Sequence, residues 1–130
     1  MISRQDMFDV LLEVDPTFQP VWDAFADKWR DQIELPLYLV LGDLARHVIG
    51  KLKDGKVGEL QHIFAVIERW LADGDELVRE ATTIGLLEDL QNLSLHKTTS
   101  PDHLKQWLGP LAATQWIEVE RYWSGKITRA

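Results

Sequence analysis

An all-α fold, a single domain built as a compact bundle of about six to seven helices, follows from three observations on this 130-residue chain. Apolar residues recur at spacings of three and four through segment after segment, the signature of one buried helical face. Prolines open several of these segments and Gly55 and Gly74 close two of them, the expected placement of starts and stops. Leu37 to Leu41 fits a strand, but its spacing continues for four turns, so it reads as helix. The chain is long enough for one real core and too short for two. Its 45% hydrophobic and 27% charged residues are ordinary for a globular protein.

The first helix opens at Ser3, with Asp6 three residues on as a variant capping box, and ends at Asp15-Pro16. Pro20 sits in the first turn of a second helix, 20–34, on which Phe18, Trp22, Phe25, Trp29 and Ile33 form a core-facing stripe. Pro36 opens a third helix with Leu37, Leu41, Leu44, Val48 and Leu52 along one side, widened by Tyr38, Ala45 and Ile49. A glycine cap at Asp54-Gly55 stops it. The fourth helix, 58–73, carries Leu60, Ile63, Phe64, Ile67 and Leu71 on one face and stops at Gly74. Leu52-Lys-Asp-Gly55 recurs as Leu71-Ala-Asp-Gly74, nineteen residues on. Equal helices joined by short turns fit HEAT-like antiparallel αα stacking.

The chain is organised around residues 57–92, two helices joined at Asp73-Gly74-Asp75. The second of these, 75–93, is apolar round most of its circumference and therefore central. Gly85 in its interior costs about 1 kcal/mol relative to alanine, so close packing against another backbone is expected there. A polar loop follows, then a short helix capped by Ser100-Pro101 and broken at Gly109-Pro110. The last helix spans 111–123, with Leu111, Trp116, Val119 and Trp123 near one another. Residues 124–130 read as a loose tail.

Composition narrows the function. No cysteine is present, so there is neither a disulfide framework nor a thiolate metal site, which fits a cytoplasmic protein. The start is no secretory signal, and no apolar run approaches the ~20 residues that span a bilayer. Net charge is −7, and residues 1–34 hold eight acids against three bases. Such a field repels phosphates and disfavours direct nucleic-acid binding, while favouring a basic partner. On the second helix Asp23, Asp27, Asp31 and Glu34 fall opposite the aromatic stripe, and they read either as a solvated acidic face or as a docking strip for such a partner.

Catalytic and cofactor chemistry find no full motif. Gly50 to Lys56 matches a phosphate-binding loop, but Val57 stands where a magnesium-holding hydroxyl is needed and a helix precedes it instead of a strand. Glu59-x-x-His62 lacks the second pair a di-iron bundle requires, and the four histidines read as unpaired surface residues. No nucleophile elbow is present. Glu88 and Asp89 diverge by about 100° on a helix and cannot converge on one substrate atom. They read, with Gln91 and Asn92, as structural polar groups, one carboxylate buried and hydrogen-bonded and the other exposed. No cofactor and no metal are expected.

Gly85-Leu-Leu-Glu-Asp-Leu-Gln-Asn92, with Asp73 to Val78 before it and Trp107-Leu-Gly-Pro110 and Trp116 to Trp123 after it, resembles a family of small bacterial helical proteins of unknown function. Leu60-Gln-x-Ile-Phe64 and Ile67-Glu68-Arg69 fit the same pattern, and the resemblance covers residues 36–125. Members of this type are similar to immunity proteins, which neutralise secreted bacterial toxins by binding them. The resemblance implies a non-enzymatic protein that binds a basic toxin domain. The acidic strip and an exposed tryptophan, Trp70, would then make the contact. The alternative is a scaffold or adaptor domain binding a peptide or helix in a groove.

Overall fold

A computed structural model describes residues 1–129, with side chains through Gly125. The fold is all-α. Helices α1 (Met7–Val14), α2 (Gln19–Lys28), α3 (Leu37–Lys53) and α4 (Val57–Asp73) follow one another, with a 3-10 turn at Pro16–Phe18 leading into α2. Next comes one long helix in three parts: α5 (Glu76–Glu80), a π-helical segment (Ala81–Leu87) and the closing turn α6 (Glu88–Leu90). Two 3-10 pieces, Leu93–Leu95 and Pro101–Trp107, lead to α7 (Pro110–Arg129).

The third and fourth helices form where their stripes place them. Leu37, Leu41, Leu44, Ala45, Val48 and Ile49 on α3 are buried, as are Leu60, Ile63, Phe64, Ile67 and Leu71 on α4. Tyr38, expected to widen the α3 stripe, stands 45% exposed instead. Gly55 ends α3 at φ 71°, the left-handed conformation that suits glycine. Gly74 ends α4 for a different reason. Its backbone is extended, and a Cβ there would run into the Trp70 carbonyl oxygen. Helix α4 meets α1 and α7 as well as α3, so the chain closes into a bundle around one continuous core.

Three boundaries differ from the sequence reading. The second helix ends at Lys28, six residues early, because the chain needs residues 29–36 to reverse before α3. Arg30 N–H donates to the Asp27 carbonyl and Gln32 N–H to Trp29, making tight turns there. Ile33 consequently leaves the core stripe and is fully exposed, while Phe18 and Phe25 stay buried. The last helix continues past Ser124-Gly125 to Arg129, so the expected tail is helical, with Ala130 outside the described residues. The Ser3 hydroxyl donates to the Asp6 carboxylate (2.9 Å) instead of capping a backbone N–H.

The central helix owes its π segment to packing. Gly85 lies against α3, where a Cβ would sit 3.0 Å from Leu41 Cδ1 and 3.1 Å from Tyr38 Cδ1. Close packing is there as expected, but against side chains, not backbone. The Thr82 hydroxyl donates to the Val78 carbonyl at 2.7 Å, satisfying a buried group. Widening the helix lets Ala81, Thr82, Gly85, Leu86 and Leu87 all turn inward. This segment touches α3, α4 and α7.

Candidate functional site

Seven of the eight acids in residues 1–34 are exposed; only Asp15 is buried. Asp23 and Asp27 stand one turn apart on α2, where Gln19 donates to Asp23 (2.8 Å) and Arg30 pairs with Asp27 (2.9 Å). Asp31 and Glu34 belong to the 29–36 connection, not to the helix, so the four acids do not form one straight helical strip. Glu34 pairs with Arg4 at 3.3 Å across the chain. Lined by α2 and α3, a groove of 750 Å³ runs beside them, with Phe25, Trp29 and Leu39 as apolar wall and Lys28, Asp43 and Arg46 as charges.

Trp70 is not an anchor. Its side chain is fully buried, its indole N–H donates to the Met7 carbonyl at 3.2 Å, and its ring meets Phe8 at 5.8 Å. An edge position on α4 alone becomes interior once α1 docks on that edge. Backbone pairing holds α1 there: Ile2 N–H donates to Asp73 O (2.7 Å), and Asp75 N–H donates to Ile2 O (2.9 Å). Ile33, between Asp31 and Glu34, is an exposed apolar residue beside the acids, and Leu39 on the groove wall is 53% exposed. The helical reading of 20–34 sent Ile33 inward, and no sequence signal singled out Leu39.

A buried charged cluster escaped the sequence reading. Asp15 accepts from the Thr17 backbone N–H at 3.2 Å and from the Thr17 hydroxyl. His47 Nε2 lies 3.0 Å from Asp15 Oδ2, and Lys51 pairs with Glu59 at 2.7 Å while reaching Asp15 at 3.9 Å. Thus His47 is a half-buried, paired residue instead of a surface one. His96 is paired too, its Nε2 donating to the Leu90 carbonyl (2.8 Å) beside Thr99. His103 closes the capping box with Ser100. Thr17, His47 and Asp15 do not make a nucleophilic triad. Both the hydroxyl (3.3 Å) and the carboxylate address the same ring nitrogen, whereas a relay needs them on opposite nitrogens. Among the described residues no three His, Asp or Glu side chains gather as a metal site.

Around the central motif, Glu88 and Asp89 are both half-buried, in place of one buried and one exposed. Burial raises the Asp89 carboxyl above the ordinary aspartate range, Glu88 adds to this, and Arg46 opposes it. Gln91 donates to the Trp116 carbonyl at 2.9 Å, tying α6 to α7, and Asn92 caps the next 3-10 turn through Ser94 N–H (3.0 Å). A cavity of 420 Å³ opens beside them, walled by Trp116 and Trp123 with Asp102 and Glu120. Trp116 is buried, and among the described residues no acceptor lies within hydrogen-bond reach of its indole N–H.

Comparison with known proteins gives one family and no function. Residues 8–124 match the family described as Domain of unknown function (DUF7674). That span takes in all of α2 and all but the first residue of α1, so the acidic helices lie inside the family, which reaches further towards the N-terminus than residues 36–125. No curated protein and no solved structure matches the chain. The chain belongs to the DUF7674 family.

Proposed function

We propose that this DUF7674 member is a non-enzymatic binding protein of the bacterial cytoplasm, an immunity protein that neutralises a basic toxin domain by covering it. The observation that carries this reading is the segregated charge: seven exposed acids within the first 34 residues, with Ile33 exposed between Asp31 and Glu34. Acids at i,i+4, as Asp23 and Asp27 are, repel by a few tenths of a kcal/mol, a cost that interspersed lysines would avoid. An apolar centre with a charged rim is the usual anatomy of a protein interface. In this arrangement Ile33 enters an apolar pocket on the toxin, and Asp23, Asp27, Asp31 and Glu34 pair with its lysines and arginines. Positive residues that would hold nucleic acid are thereby occupied.

A neighbouring gene is expected to encode a protein with a basic toxin domain, and coexpression with that domain is expected to restore growth to cells that the toxin alone arrests; a neighbourhood without such a gene counts against the proposal. Reversing charge in Asp23→Lys/Asp27→Lys/Asp31→Lys should weaken the complex by about a hundredfold, mostly through slower association. Association should also slow steeply with rising salt. A triple variant that binds the toxin as tightly as the parent, at every ionic strength, would end the proposal.

A further inference from the structure

We propose that the outward face shared by α3, the α5–π helix and α7 is a contact between two copies of this chain, related by a two-fold axis. The contact is independent of the toxin-binding reading, for none of its residues lies in the acidic first 34.

Exposed apolar side chains from three touching elements meet on this face. The π segment turns Ala81, Thr82, Gly85, Leu86 and Leu87 inward, which leaves Ile84 pointing out, 50% exposed. Towards α7, Ile84 shares a recess of 600 Å³ with Leu111, itself 43% exposed. Towards α3, the half-exposed Tyr38 ring lies against Gly85, the next residue in the chain. Leu77, one turn before Ala81, is 40% exposed. Single apolar residues at a surface are ordinary, but a group spread over three helices marks a contact surface.

The charges on this face say what covers it. Glu76, Arg79 and Glu80 line the same recess as Ile84 and Leu111. Glu76 and Glu80 stand one turn apart and repel one another. Arg79 is within a turn of both, yet among the described residues none of the three makes an ion pair. Both signs are therefore left open in one patch. A two-fold axis uses both at once, because where residue i of one copy meets j of the other, j also meets i. Arg79 of each copy then lies between Glu76 and Glu80 of the other, and the apolar residues close over one another beside them. A partner of one sign would leave part of the patch unanswered. Repulsion between copies is modest here: residues 1–34, with eight acids against three bases, carry −5 of the net −7, and the face lies in the remainder.

Sedimentation equilibrium of the full chain tests this, with the mass rising from 15.0 kDa towards twice that value as concentration increases. A dimer with a Kd below about 100 μM is expected. Ile84→Asp, Arg79→Glu and the double change Glu76→Arg/Glu80→Arg should each weaken it at least about tenfold. All four positions are exposed, so each variant should keep the urea midpoint of the parent. The two charge variants, each now of a single sign, should associate when mixed, giving a dimer with one copy of each. A chain that stays monomeric to about 1 mM would overturn the proposal. So would a dimer indifferent to Ile84→Asp, or folded charge variants that remain monomers when mixed. A monomeric parent whose Ile84→Asp variant no longer neutralises the toxin would give this face to the toxin instead, and the proposal would fall.

Discussion

At the scale of single residues, Asp89 carries the most testable chemistry. Its carboxyl binds a proton more tightly in the fold than in the unfolded chain, because burial and Glu88 outweigh Arg46. A raised folded pKa contributes stability that is fully present below the ordinary aspartate value of about 3.9 and is lost as pH rises through the folded value. At neutral pH the ionised group is therefore a liability. Asp89→Asn is expected to make the protein more stable at pH 7 and to leave it unchanged near pH 3, as urea unfolding at the two pH values would read. A variant weaker at pH 7 would mean that the Arg46 attraction prevails. Trp70 shows how far one side chain's surroundings can depart from its helix: the second face it occupies is invisible until α1 covers it.

Among the elements, α7 depends on a residue outside itself. Glu68 on α4 accepts from the backbone N–H groups of Leu111 (2.8 Å) and Ala112 (2.9 Å), the orphan donors of the α7 N-terminus. A carboxylate there meets both the hydrogen-bonding need and the positive end of the helix dipole. Glu68→Ala should cost about 2 kcal/mol and Glu68→Gln about 1 kcal/mol, since glutamine keeps one acceptor and loses the charge. Urea midpoints give the magnitudes, and faster amide exchange at Leu111 and Ala112 would localise the loss to this cap. The pairing spans more than forty residues. Glu68 and the Gly109-Pro110 break are both visible in the sequence, yet nothing local connects them. The π segment is likewise a tertiary outcome, since an apolar circumference with one glycine is equally compatible with a regular α-helix.

Across the whole molecule, the Asp15 cluster joins three parts of the chain. It links the end of α1 to His47 and Lys51 on α3, and through Lys51 to Glu59 on α4. Asp15 is 3% exposed and Lys51 8% exposed, so removing one partner strands charge in the interior. Asp15→Ala is expected to cost about 3 kcal/mol, through the stranded charge and the lost turn at Thr17. A loss near the ~0.5 kcal/mol of a surface pair would show the cluster to be solvated. The same N-terminal region that supplies this buried acid presents the other seven to solvent. Stability and the proposed recognition therefore separate cleanly: Asp15 belongs to the first, and Asp23, Asp27 and Asp31 to the second.

The sequence by itself determined that this chain folds as helices, where α3 and α4 run, which of their faces are buried, and how charge is divided along the chain. Those properties are local, fixed by a 3.6-residue period, by stops such as Gly55, and by composition. Only the tertiary structure decided that α2 ends at Lys28, that Trp70 is enclosed, that His47 meets Asp15, and that Trp116 and Glu120 share a cavity with Asp102. Each of these depends on which helix docks against which, and on contacts between residues far apart in the chain. A helical repeat records only the face a segment prefers to bury, and the partner that covers its other side is chosen by the packing of the whole.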